Sequence, residues 1–172
     1  MSFADCLTII LGHEGGFVND PKDPGGMTNL GVTRRTWEEW TKTPASESVM
    51  RNLTRVAVAP LYKAQYWDAV KGDHLVAGLD LCLFDFAVNA GPNRAARLLQ
   101  ALVGADDDGK IGPATLAAVQ AFIARKGLAA LILRYQGARR GYYFSLSTFD
   151  RFGRGWLRRT DETEELALGM GK

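Results

Sequence analysis

Gly78-Leu79-Asp80-Leu81-Cys82-Leu83-Phe84-Asp85-Phe86-Ala87-Val88-Asn89 is the stretch on which the fold turns. Its apolar residues fall on every side of a 3.6-residue period rather than along one stripe, which predicts a helix buried all round at the centre of a helical protein. Asp85 and Asn89 are four residues apart, hence on one face, and a polar pair in such surroundings needs hydrogen-bond partners. The pair reads either as a buried network bracing a neighbouring loop or, for Asn89, as a group that meets a ligand while Asp85 braces it. Gly91-Pro92 then stops this helix and opens the next by the Gly-end, Pro-start asymmetry.

Working back toward the N-terminus, Phe3, Cys6, Leu7, Ile10 and Leu11 define the apolar face of a helix over Phe3–His13, and Glu14 continues that face. A carboxyl carried along the buried side is poorly solvated, and desolvation favours the protonated form that a general acid needs. The alternative is a glutamate fraying out at a helix end, where the dipole disfavours negative charge. After Glu14 comes Gly15-Gly16-Phe17-Val18-Asn19-Asp20-Pro21-Lys22-Asp23-Pro24-Gly25-Gly26-Met27-Thr28-Asn29-Leu30-Gly31-Val32-Thr33, a loop of glycines, prolines, carboxylates and hydroxyls with the composition of a functional segment. Asp20, Asp23 and Thr28 are its reactive groups. Asp20 and Asp23 each read equally as a turn residue bonding its own backbone ahead of the following proline.

A helix capped at Thr33 or Thr36 follows, Thr36-Trp37-Glu38-Glu39 having capping-box spacing. Another is expected from Thr54 to Tyr66, kinked or broken at Pro60. Tyr62, Tyr66 and Trp67 read as core aromatics or as a stacking surface for a ligand ring. Beyond Gly91, helices are predicted from Pro92 to Val103, from Pro113, and from Leu128 to Ser145, where Gly137 and Gly141 weaken the helix or admit close packing. Phe149–Arg159, mixing aromatics with arginines, reads as a short docking helix or a surface for anions. The fold class is therefore mostly α, with a small irregular or hairpin segment near residues 15–33.

The 172 residues, 47% of them hydrophobic, are enough for one sizeable core or two small lobes, and no Pro-, Ser- or Gly-rich linker divides the chain. The net charge of +2 conceals an asymmetry: between Gln120 and Arg159, Arg125, Lys126, Arg134, Arg139, Arg140, Arg151, Arg154, Arg158 and Arg159 face Asp150 alone. This predicts attraction to a polyanion, or a solvated helix face. Cys6 and Cys82 lie in apolar patterns as reduced core residues. His13 and His74 are isolated, so neither metal chemistry nor a Ser/Cys–His nucleophile is indicated, and no cofactor is expected. Asp106-Asp107-Asp108-Gly109 lacks the alternating ligands and closing Glu of a calcium loop and reads as a turn. No stretch is long enough to span a bilayer, and the N-terminus has neither the charged start nor the apolar run of a secretory signal.

The Glu-Gly-Gly-aromatic start at Glu14, the Asp23-Pro24-Gly25-Gly26-Met27-Thr28 continuation, Tyr66-Trp67-Asp68 and Phe84-Asp85-Phe86-Ala87-Val88-Asn89-Ala90-Gly91-Pro92 together resemble glycoside hydrolase family 108, phage and prophage muramidases. Asp108-Gly109-Lys110-Ile111-Gly112-Pro113-Ala114-Thr115 is similar to the Asp-Gly-x-x-Gly-x-x-Thr pattern of peptidoglycan-binding repeats. The resemblance implies a lysozyme-like helical fold, with a hydrolase region over 1–92 and a peptidoglycan-binding-like region over 93–172 packed on the same core. It implies cleavage of peptidoglycan between N-acetylmuramic acid and N-acetylglucosamine, Glu14 acting as acid. The phage lysozymes of family 24 place an aspartate at the spacing from glutamate that Asp23 has here, although Thr28 lies one residue closer than their threonine. By that likeness Asp23 stabilises the oxocarbenium-like transition state or activates water, and Thr28 helps place the water.

Asp20, Asn29, Tyr66 and Asn89 are the expected substrate contacts, Asn89 meeting N-acetyl or hydroxyl groups. The partner of the basic C-terminal region is then the anionic envelope rather than nucleic acid. Release from the cytoplasm through a holin-type lesion is the expected route to the wall. The other readings are a lytic transglycosylase, which leaves anhydromuramic ends, and a non-catalytic envelope-binding or secretion-associated protein.

Overall fold

The computed structural model describes residues 1–19 and 26–170. The described chain is mostly α-helical with one two-stranded antiparallel sheet. It divides into two compact units, one formed by Ala4–Ala64 and the other by Met1–Phe3 with Gln65–Lys172.

In the first unit α1 (Phe3–His13) buries Cys6, Leu7, Ile10 and Leu11, the face read from the sequence. A hairpin follows, β1 (Thr28–Asn29) pairing with β2 (Val32–Thr33) in the register Thr28↔Thr33 and Asn29↔Val32. The cap of α2 (Arg34–Thr41) is Thr33, not Thr36: the Thr33 hydroxyl accepts from the Thr36 amide at 3.1 Å, because the extended end of β2 leaves Thr33 outside the helix. Ser46 and Thr54 cap α3 (Glu47–Arg51) and α4 (Arg55–Tyr62) in the same manner. Pro60 does not break α4. The carbonyl that Pro60 leaves without a donor belongs to Val56, whose side chain is 83% exposed, so water has access to that face. A π-turn over Lys63–Trp67 then carries the chain into the second unit.

In the second unit α5 (Leu79–Ala90) is the axis. Nine of its twelve residues are buried, which only a helix covered on every side achieves. It packs against α6 (Pro92–Val103), α8 (Leu128–Phe144) and α9 (Phe149–Met170). Leu79, Cys82, Leu83 and Phe86 meet Ala95 and Leu99 of α6 and Leu131, Ile132 and Tyr135 of α8 in one apolar core. Cys6 and Cys82 are both buried free thiols. Gly91, at φ +92°, turns the chain between α5 and α6 in a conformation that other residues avoid.

The Asp106–Gly109 segment is a turn, closed over α6 by the buried Gln100. The Gln100 amide donates to Asp108 Oδ1 (2.8 Å), the Lys110 carbonyl (3.1 Å) and Thr115 Oγ1 (3.2 Å), and its oxygen accepts from the Gly109 amide (2.9 Å). The Asp-Gly-x-x-Gly-x-x-Thr residues thereby lock the entry to α7 (Pro113–Lys126).

Two expectations for the C-terminal region need correction. Phe149–Arg159 is not a short helix but the first half of the 22-residue α9. The second half carries carboxylates that neutralise arginines: Arg140 pairs with Asp161 (2.6 Å) and Glu164 (2.9 Å), and Arg158 with Glu162 (3.8 Å). Arg139 and Arg159 turn inward to Asp85. Nor do Gly137 and Gly141 serve close packing, since a Cβ at either would meet nothing within 4 Å. Among the described residues no single helix is long and apolar enough to cross a membrane, and no group of three or more His, Cys, Asp or Glu could hold a metal ion.

Candidate active site

Glu14 follows the last residue of α1 and is half-buried, continuing the helix's apolar row. Three elements of the first unit converge on it. The hairpin turns through Leu30 and Gly31 with φ of +50° and +72°, the left-handed pair that a two-residue type I′ turn requires. At Gly31 the backbone comes so close to its neighbours that a Cβ would sit 2.7 Å from Glu14 Oε2 and 2.5 Å from the Tyr62 hydroxyl. Tyr62, 1% exposed at the end of α4, donates its hydroxyl to the Leu30 carbonyl at 2.8 Å and so holds the left-handed Leu30 in place. The carboxyl of Glu14 is thus packed against a turn that has no side chain to spare, beside a phenol anchored to that same turn. Such constraint is what a proton donor acting on one bound atom needs.

The strand pattern sorts the loop's polar residues. Thr28 is the middle of three antiparallel partners: its amide and carbonyl pair with Val18 (2.9 and 2.8 Å), and across the hairpin it faces Thr33. Asn29, the next residue, points to the opposite side. It is 5% exposed and donates its amide to the carbonyls of Met50 (2.9 Å) and Arg51 (3.1 Å) at the end of α3. Its role as a sugar contact is therefore corrected to that of a brace, because burial and two backbone carbonyls engage both amide hydrogens. Asp20 and Asp23 lie outside the described residues.

In the second unit Tyr66 is half-buried within the π-turn and packs on the apolar core, while Trp67 is fully buried, its ring against Phe3 and Phe84 and its Nε1 donating to Asp73 Oδ1 at 2.9 Å. Asp85 is a brace, as one reading had it: it pairs with Arg139 (2.6 Å) and Arg159 (2.8 Å). Burial would push its carboxyl up, but the two guanidiniums outweigh burial and hold it below the usual carboxylate range. Asn89 is exposed, and its Oδ1 accepts from the Tyr143 hydroxyl at 2.7 Å.

Tyr62, read from the sequence as core or as a stacking surface, is buried, and its hydroxyl meets a backbone carbonyl thirty-two positions away that the sequence does not signal. Sequence reasoning missed Tyr143 and Arg139 for a similar reason: nothing local ties α8 to Asn89.

Residues 7–91 match the family model of glycosyl hydrolase 108, and residues 94–161 that of a predicted peptidoglycan domain. Among solved structures, SagA of Brucella abortus is similar at 38% identity, covering 99% of this chain and 95% of its own, with a TM-score of 0.86. Comparison with curated proteins gives no match. With a mostly α, lysozyme-like fold and these matches along the whole chain, the protein belongs to the glycosyl hydrolase 108 family and is a glycoside hydrolase directed at peptidoglycan.

Proposed function

We propose that this enzyme hydrolyses the bond between N-acetylmuramic acid and N-acetylglucosamine, with Glu14 as the general acid. The observation that carries the reading is the packing of Glu14 Oε2 against Gly31 and beside the anchored Tyr62 hydroxyl. A carboxyl so confined is presented in one orientation to the glycosidic oxygen, and protonating that oxygen is the step without which the sugar leaving group does not depart at neutral pH. Positive charge then develops at the anomeric carbon. In this reading Asp23 stabilises it or activates the attacking water, and Thr28, on the middle strand of the hairpin region, helps hold that water; both roles rest on spacing from Glu14.

The test is Glu14→Gln, which keeps shape and hydrogen bonding but has no proton to transfer. Clearing of a peptidoglycan suspension should fall by at least about a hundredfold while the melting temperature stays put. Cleavage at the wild-type rate would refute the mechanism. Asp23→Asn should cost more activity than Asp20→Asn, and the reverse ranking would transfer the second role to Asp20.

A further inference from the structure

Arg139, Tyr143 and Asn89 form a chain of hydrogen bonds in which every direction is set by chemistry, and an ion pair ties Arg139 to Asp85. A guanidinium only donates. Arg139 forms an ion pair with Asp85 (Nη2 to Oδ2, 2.6 Å) and gives its Nε–H to the Tyr143 hydroxyl at 3.0 Å. Tyr143, having accepted there, has a single proton to give, and it goes to Asn89 at 2.7 Å. Burial pushes the phenol up from its ordinary value, so that proton is retained near neutral pH. The Asn89 atom that receives it must be the carbonyl oxygen, since an amide NH2 has no lone pair to offer.

The far end of the chain differs from the rest. Arg139, Tyr143 and Asp85 are at most 1% exposed, whereas Asn89 is on the surface. With Oδ1 tied to Tyr143, the amide is fixed with its NH2 turned away from the phenol. A network serving packing alone has no need to end on an exposed amide of fixed polarity.

We infer that Asn89 binds the glycan as a hydrogen-bond donor, locked in that polarity by Tyr143 as a positioning residue, and so recognises a carbonyl oxygen rather than the proton of a hydroxyl. The inference rests on peptidoglycan being the substrate. A peptidoglycan carbonyl comes from two sources, the N-acetyl groups of the sugars and the amides or carboxylates of the stem peptide.

The experiment uses the full chain carrying Glu14→Gln, so that fragments bind without being cut, and measures affinity for soluble muropeptide oligomers by calorimetry. Adding Asn89→Asp keeps the shape and Tyr143's bond but turns the outward donor into an acceptor, and affinity should fall by at least about tenfold. Adding Tyr143→Phe frees the amide to rotate, and affinity should fall severalfold. In the Glu14-intact enzyme both changes should raise KM more than they lower kcat, which a loss of folding stability alone would not do.

With de-N-acetylated oligomers the Asn89→Asp penalty should vanish if the acetyl carbonyl is the partner; with peptide-free strands it should vanish if the stem is. Equal affinity of the parent and Asn89→Asp for every fragment overturns the inference and leaves the proposed hydrolysis standing. A penalty at Asn89 without cleavage by the wild type supports the inference and refutes the hydrolysis. A parent that binds no fragment overturns the inference.

Discussion

Replacing Gly31 by alanine tests the packing around Glu14. The added methyl would sit 2.5 Å from the Tyr62 hydroxyl and 2.7 Å from Glu14 Oε2, where ordinary contacts to carbon begin near about 3.5 Å. Two costs combine. An L-residue at φ +72° is strained by about 1 kcal/mol. Relieving both contacts takes a displacement of about 1 Å, the methyl moving toward the space left by whichever oxygen gives way more. If Tyr62 yields, its bond to the Leu30 carbonyl is lost, which costs about 1–3 kcal/mol. The total is then about 3 kcal/mol, a fall in Tm of roughly 6–12 °C for a chain of this size. If Glu14 yields instead, stability falls only by the backbone strain, but the acid leaves its position and the lytic rate collapses. Calorimetry and a turbidity assay on the same preparation separate the two. A Gly31→Ala protein with both Tm and lytic rate unchanged would refute the claim that the turn packs against these oxygens.

Two further outcomes concern the second unit. Asp85→Asn removes the buried carboxylate that Arg139 and Arg159 share and should lower unfolding stability in denaturant by about 3–5 kcal/mol; a loss below about 1 kcal/mol would contradict the buried pairing. The pH dependence follows from the downward shift of the same carboxyl. A carboxylate whose folded value is depressed adds stability that is fully present above its unfolded value near about 3.9 and disappears as pH falls through the folded value. The stability difference between wild type and Asp85→Asn should therefore be flat from neutral pH down to about 5 and shrink only in stronger acid, as denaturant titrations at several pH values would read out.

What the sequence made legible was whatever is written within a few residues. The apolar row of α1, the all-round apolar α5 and the Gly91-Pro92 junction are periodicities and punctuation, and each stands where the pattern put it. The half-buried position of Glu14 was legible because it extends such a row. Thr33 and Thr36 were both plausible caps until the strand ending at Thr33 decided between them.

What was hidden depends on partners distant in sequence. The arginines from Gln120 to Arg159 looked like a uniform basic stretch, yet Arg139 and Arg159 face a carboxylate on α5, and Arg140 pairs with carboxylates on the second half of α9. Asn29 looked like a ligand contact because it sits among reactive residues; strand alternation turned it to the buried side. Helical spacing does not show where the Tyr62 and Tyr143 hydroxyls go, because their partners, the Leu30 carbonyl and Asn89, are distant in sequence.

The central claim is that water, delivered after proton transfer from Glu14, breaks the muramic acid linkage. Digesting purified peptidoglycan in ¹⁸O-labelled water and analysing fragment ends by mass spectrometry tests it most directly. The account predicts reducing N-acetylmuramic acid ends carrying one ¹⁸O, formed by the wild type and absent with Glu14→Gln. Unlabelled anhydromuramic ends, or labelled ends that persist with Glu14→Gln, would contradict it.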